Sequence, residues 1–299
     1  MMYVHGHGSF VGPPVAEIKA IKAEVSHYTQ IRFRRANRFV LIALAGACRC
    51  VQGHTLDPRT AVYLTTENGN LGDTETVLTQ VYHRHEFPMP YNFINTMSNT
   101  ASFYVAQSLA LPGRNVTFSS KQLSFERGLE LALCDMDGGA TETALVGGAD
   151  EACFSKAQFE TKFQLPYARY AMVEGSSWLL LRKEAAGALG AIRPPATFET
   201  PEAAATWVGR QSLSGTVRLA YGILPDATDR QAIGRALPDA LPLDYIAERG
   251  YFDSATACGV THFLDQADPG CLVHVNKDFR DQLVVLVVEK YGCLPQVFE

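Results

Sequence analysis

The sequence predicts an α/β fold built on a largely parallel sheet with helices on both faces. Strand-like and helix-like segments alternate along the chain. The strand-like segments are also near-continuous apolar runs, without the in–out alternation of a half-exposed sheet. Composition agrees: 299 residues, 47% hydrophobic and 19% charged, supply a substantial core.

The elements follow in order. Tyr3-Val4 reads as a short strand breaking into the glycine turn His5-Gly6-His7-Gly8. Its two histidines have no second pair of ligands nearby, so a turn explains them and no metal is expected. Asn37 opens a helix over 37–50, carried by Phe39, Leu41, Ile42 and Leu44. The β-branched run 61–65 is a strand, and 67–72 a loop. Asp73 is expected to cap a helix ending near Tyr82. After Pro88 and Pro90, a helix over 95–109 is rich in Asn, Ser, Thr and Ala. Leu111-Pro112-Gly113 turns the chain into a strand at 115–118, followed by a helix through Met136 and a buried strand at 143–146 that ends in Gly147-Gly148. The second half is less regular. Strands are predicted at 176–181, 217–221, 272–275 and 283–288, and helices at 228–236 and 254–264. The polar stretch from Pro194 reads as a loop. A break is expected between Cys153 and Tyr167, dividing the chain into 1–165 and 166–299.

Charge and cysteine content narrow the function classes. A net charge of −5 gives no electrostatic case for nucleic acid. Seven cysteines, an odd number set mostly in apolar stretches, read as buried free thiols, and Cys48-Arg49-Cys50 is too tight for a metal or redox pair. Residues 1–14 lack the features of a signal peptide, and 40–48 is far short of the ~20 residues of a membrane span. A cytoplasmic protein is expected.

The turn at 120–122 carries the chemistry question. Asn115-Val116-Thr117-Phe118-Ser119-Ser120-Lys121-Gln122-Leu123-Ser124 reads as a buried strand running into a helix. On such elbows α/β enzymes hold a nucleophile against helix N-terminal amides. Here the apex is Gln122, and an amide is no nucleophile. Lys121 beside it suits a solvated or interface charge better than a phosphate ligand or Schiff base. Ser119 and Ser120 have no evident His partner for a triad. Glu126 and Arg127 read as interface or surface charges.

These residues carry a family resemblance. Asn99 and the run Leu109-Ala110-Leu111-Pro112-Gly113-Arg114-Asn115-Val116-Thr117 are similar, without gaps, to the segment that leads to the active cysteine of β-ketoacyl synthases. Val146-Gly147-Gly148-Ala149-Asp150, Arg34-Arg35 and Glu174-Gly175-Ser176-Ser177-Trp178-Leu179-Leu180-Leu181 resemble further family segments. The resemblance implies a thiolase-like layered αβαβα fold of two similar halves, the second shortened. It also places Gln122 on the cysteine that accepts the acyl chain. The two later histidine motifs have no counterparts; His262 and His274 have other surroundings. Asn276-Lys277-Asp278-Phe279-Arg280-Asp281-Gln282 replaces the terminal glycine-rich loop of the oxyanion hole. Phe103 stands where relatives usually carry a small residue, as a core filler or a plug.

Condensation needs the nucleophile, the groups that promote decarboxylation and the oxyanion hole together. The resemblance therefore implies a chain-length-factor-like subunit with no catalytic residue and no cofactor, of the kind found in type II polyketide and aryl polyene pathways. Its expected partners are a cysteine-bearing β-ketoacyl synthase and an acyl carrier protein. Met97, Asn99, Phe103, Lys121, Gln122 and Phe125 are the expected tunnel or interface residues. The alternatives are a malonyl-thioester decarboxylase of the Gln-for-Cys type and a non-catalytic acyl-thioester-binding homodimer.

Overall fold

The computed structural model describes residues 1–14, 17–29, 36–153 and 155–292. Arg34-Arg35 and Cys293 lie outside the described residues. The first part runs β1 (Met2–Gly12), α1 (Ile18–Ser26), α2 (Arg38–Cys50), β2 (Ala61–Thr65), α3 (Leu71–Tyr82), α4 (Pro90–Asn95) and α5 (Asn99–Ser108). It continues with β3 (Asn115–Phe118), α6 (Ser124–Asp137), β4 (Thr143–Asp150), α7 (Lys156–Phe163) and β5 (Glu174–Arg182). The second part runs β6 (Gly190–Ile192), β7 (Ala196–Phe198), α8 (Pro201–Gly209), β8 (Thr216–Tyr221), α9 (Ala227–Ala236) and β9 (Leu241–Pro242). Then follow α10 (Tyr245–Arg249), α11 (Ala255–Leu264), β10 (Gly270–Lys277) and β11 (Leu283–Lys290).

The strands pair in the order β3-β2-β4-β5-β1-β6-β11-β10-β8-β9, with β7 beside β11. Outward from the β1–β6 pair, both sides repeat one scheme. The inner joins, β1–β5–β4 and β6–β11–β10, are antiparallel. The outer joins, β4–β2–β3 and β10–β8–β9, are parallel. The sheet is thus mixed, not largely parallel. Continuous apolar runs report burial on both faces, and β5 and β11 are as buried as their parallel neighbours, so the runs say nothing of direction. The break expected at 165/166 falls ahead of β5, which hydrogen-bonds to β1 and β4.

Side-chain alternation sorts the layers. Val62, Leu64, Leu145, Trp178 and Leu180 pack under α1, α2 and α5. Ala61, Tyr63, Val146, Leu179 and Leu181 point the other way, onto α6 and α11, where Leu272, Leu286 and Val288 of the second part meet them. Val273, Val275, Val285 and Val287 face outward again, toward α8 and α9. The result is the layered αβαβα fold, with α6 and α11 in the middle. Two glycines allow its closest approaches. A Cβ on Gly147 would lie 2.0 Å from the Trp178 ring across the β4–β5 pair, and one on Gly128 would lie 2.3 Å from Thr65 Cγ2, where α6 presses on β2.

Several expectations change. The helix expected over 95–109 starts only at Asn99, as α5, and a short helix the sequence did not suggest, α4, precedes it and ends at Asn95. Asn70, not Asp73, is the cap residue of α3, and Asp73 accepts from Asn37 Nδ2 inside the first turn. The loop after Pro194 contains β7 and α8; the Thr200 hydroxyl accepts from Ala203 N, Pro201 opens the helix, and Ala204 and Val208 are buried. Cys48, Cys50, Cys258 and Cys271 are buried free thiols as expected, but Cys134 is exposed on α6 and Cys153 half-buried.

Candidate functional site

The elbow is formed where the sequence predicts, although β3, the terminal strand, is half-exposed and not buried. β3 ends at Phe118, Lys121 takes a left-handed φ of 53°, and α6 starts at Ser124. Ser120 N donates to Ser124 Oγ at 2.9 Å, tying the turn to the helix it opens. The tight reversal turns Gln122 inward and leaves Lys121 exposed. Phe125, one turn on, is a core residue of the middle layer.

Around Gln122 the chain brings together polar groups from five places. Gln122 Nε2 donates to Glu67 Oε1 at 2.8 Å, and Asn276 Nδ2 on β10 donates to the Gln122 carbonyl at 2.8 Å. Lys162 Nζ, from α7, donates to Glu67 Oε1 at 2.7 Å and to Asp253 Oδ1 at 2.9 Å. Asp253 also accepts from the Tyr251 hydroxyl and from Asn68 Nδ2. Asp150, at the end of β4, is fully buried and accepts from the Thr66 hydroxyl and the amides of Glu67 and Asn68. Glu126 is fully buried as well, accepting from Thr256 and Asn276; it is not the surface charge the sequence suggested. Arg127 is half-buried and pairs with Glu130.

Burial dominates the electrostatics. Burial, with the neighbouring Asp253 carboxylate, raises Glu67 to about 8 against the pull of Lys162. The same causes lift Asp150 to about 6. His274 donates to or accepts from the Tyr245 hydroxyl at 3.0 Å, and full burial lowers it to about 3, so its ring stays neutral. His262 contacts Glu248 and accepts from Arg249 Nε. Neither histidine contacts Gln122 through any described hydrogen bond.

The open space at Gln122 is ≈ 10 Å³, lined by Gly222, Ile223, Tyr245, Tyr251, Ala255 and Thr256 among others. That is at the threshold for a single water and far below the volume of an acyl chain. The apex therefore carries no nucleophile, no thiol lines the cavity, and the space beside it is filled. Among the described residues no cluster of His, Cys, Asp and Glu is arranged to hold a metal, and no helix is long and apolar enough to cross a membrane.

The remaining predicted residues are elsewhere. Met97, Asn99 and Phe103 lie at the start of α5 or just before it, all solvent-exposed, and none lines the Gln122 cavity. Phe103 is 56% exposed, so it fills no core; its ring meets Tyr104 edge-on. Among the described residues, ten of the fifteen exposed large apolar side chains fall between 78 and 103, including Tyr82, Phe87, Phe93, Ile94, Met97 and Phe103. Phe103 is on α5, which packs against β3, the terminal strand of the sheet. Glu67, Lys162, Asp253 and Asn276 were missed by sequence reasoning. Glu67 sits in what reads as a loop, and α7 has little amphipathic signal; only its capping box, Ser155 with Gln158, marks it.

The family model described as Beta-ketoacyl synthase, N-terminal domain, matches residues 7–161. No curated protein sequence gives a significant match. Among solved structures the chain is similar to the ishigamide ketosynthase/chain length factor, with 18% identity and a TM-score of 0.72 over 97% of this chain and 99% of that one. It is similar to AntDE:AntF, a type II polyketide synthase acyl-carrier protein in complex with its ketosynthase, with 12% identity and a TM-score of 0.69 over 97% and 99%. The complex of the ketosynthase ApeO with its chain length factor ApeC from Xenorhabdus doucetiae matches at 13% identity and TM-score 0.54, over 95% and 98%. These likenesses show the shared thiolase-like fold.

Proposed function

The chain belongs to the β-ketoacyl synthase family, and from that premise we propose that it is a non-catalytic, chain-length-factor-like subunit. In this reading it pairs with a cysteine-bearing β-ketoacyl synthase and helps shape that partner's acyl tunnel, in polyketide, aryl polyene or fatty-acid-type biosynthesis. An acyl carrier protein delivers the substrate to the pair. The observation that carries the reading is the Gln122 apex, an amide held by Glu67 beside a ≈ 10 Å³ space. A chain that neither attacks a thioester nor accommodates an acyl group keeps the fold without the chemistry. The same filled space argues against the acyl-binding homodimer and the decarboxylase, each of which needs room for a thioester at Gln122.

The apolar segment 78–103 supports pairing, because exposed apolar side chains gathered in one segment are costly in water, and α5, at its end, packs on the terminal strand β3. Met97 and Phe103 are placed to be covered by the partner and to limit the volume of its tunnel. Co-expression with a cysteine-bearing β-ketoacyl synthase from the same organism, followed by size-exclusion chromatography, is expected to give a stable 1:1 complex. A soluble homodimer of this chain that ignores the synthase would defeat the proposal.

A further inference from the structure

Two buried carboxyl groups, Glu67 and Asp253, share one half-buried ammonium, Lys162, beside the elbow, and a third, the buried Asp150, acts on Glu67 through its charge. Their donors are unequally shared. Asp150 accepts from a hydroxyl and two backbone amides, and Asp253 from Lys162, Tyr251 and Asn68. Glu67 receives both its donors, Lys162 and the Gln122 amide, on Oε1. Glu67 Oε2 is buried with no partner, and so is Gln122 Oε1, on the other end of the same two side chains. Two buried acceptors left bare on adjoining groups call for one proton between them.

We propose that Glu67, as the carboxylic acid, closes a cyclic two-hydrogen-bond pair with the Gln122 amide. Gln122 Nε2 donates to Glu67 Oε1, and the Glu67 Oε2–H donates to Gln122 Oε1. Lys162 then serves chiefly as the counter-ion of Asp253. Burial and the neighbouring carboxylates Asp253 and Asp150 hold the proton on Glu67 against the pull of Lys162; the Tyr251 hydroxyl is spent on Asp253. Glu67 is thus a positioning residue. It fixes the amide that stands in the nucleophile position and completes the closure of that site. The pair stands whether or not the chain binds a ketosynthase.

The test uses the full chain, alone or with any co-purified partner. Glu67→Gln replaces the acid O–H by an amide N–H and can form the same cyclic pair, whereas Glu67→Ala cannot. At pH 7, Glu67→Gln is expected to keep the denaturant midpoint close to that of the wild type, while Glu67→Ala lowers it clearly or fails to fold. The wild-type minus Glu67→Gln infrared difference spectrum at pH 7 is expected to show a protonated carboxyl band that vanishes as the pH is raised past 9. Absence of that band at pH 7 overturns the proposal. A Glu67→Gln midpoint as low as that of an ion-pair deletion such as Lys162→Met overturns it too.

Discussion

At Gln122 the question is whether the elbow would work if its nucleophile were returned. The side chain is 6% exposed, its amide nitrogen is held by Glu67, and the backbone carbonyl of the same residue accepts from Asn276. A cysteine there would gain neither a neutral-to-cationic histidine partner nor room for an acyl group. Gln122→Cys is therefore expected to form no acyl-enzyme on incubation with acyl or malonyl thioesters, read by intact-protein mass spectrometry. Its stability should fall by about 1–3 kcal/mol, because Glu67 loses a buried donor. Formation of a covalent acyl adduct on this cysteine would mean the surrounding site is still competent. The position of Gln122 at an elbow was legible in the sequence, since a strand running into a helix is a local pattern. Its partners were not, because Glu67, Lys162 and Asn276 come from separate segments and only the packing of β2, α7 and β10 brings them together.

At the scale of elements, the segment from α3 to α5 carries the surface that matters. It presents Tyr82, Phe87, Phe93, Ile94, Met97 and Phe103 to solvent. Burying such side chains is worth roughly 1.5–3 kcal/mol each in transfer terms, so a few of them dominate an interface. Phe93→Asp or Phe103→Asp is expected to weaken co-purification with the partner synthase by tenfold or more while leaving the fold intact by circular dichroism. Met97→Ala and Phe103→Ala, which keep the interface apolar, should lengthen the product of the reconstituted pair; unchanged product length would remove the tunnel role. The composition of 95–109 suggested one helix from Asn95, and the structure starts it at Asn99, after the separate short helix α4. Asn70 and Asn37 side chains meet the Asn95 carbonyl there, a tertiary contact that fixes the end of α4.

For the whole molecule, buried acids set the response to pH. Glu67 is raised to about 8, Glu151 to about 7 and Asp150 to about 6, in each case chiefly by burial. An unfolded chain titrates such groups near ~4. Between those values the folded protein holds more protons than the unfolded one, so stability is fully present at acid pH near 4 and is lost as pH rises through 6 to 8. Urea midpoints measured from pH 5 to 9 are expected to decline steadily; a rise or a flat profile across that window would show that these carboxyls ionise freely in the folded state.

The sequence by itself determined the α/β class, the elbow, the burial of most strands, and the amide at the apex, because each is written in local spacing and in residue type. It also carried the resemblance to β-ketoacyl synthases in contiguous segments of the first half. Only the tertiary structure decided the antiparallel inner strands, the helix hidden after Pro194, and the exposure of Phe103. Only it showed that the space beside Gln122 is filled by groups from β10, α10, the residues after β8 and the turn into α11. Strand direction, exposure and cavity volume depend on which distant segments pack together, and no local pattern of residues encodes that.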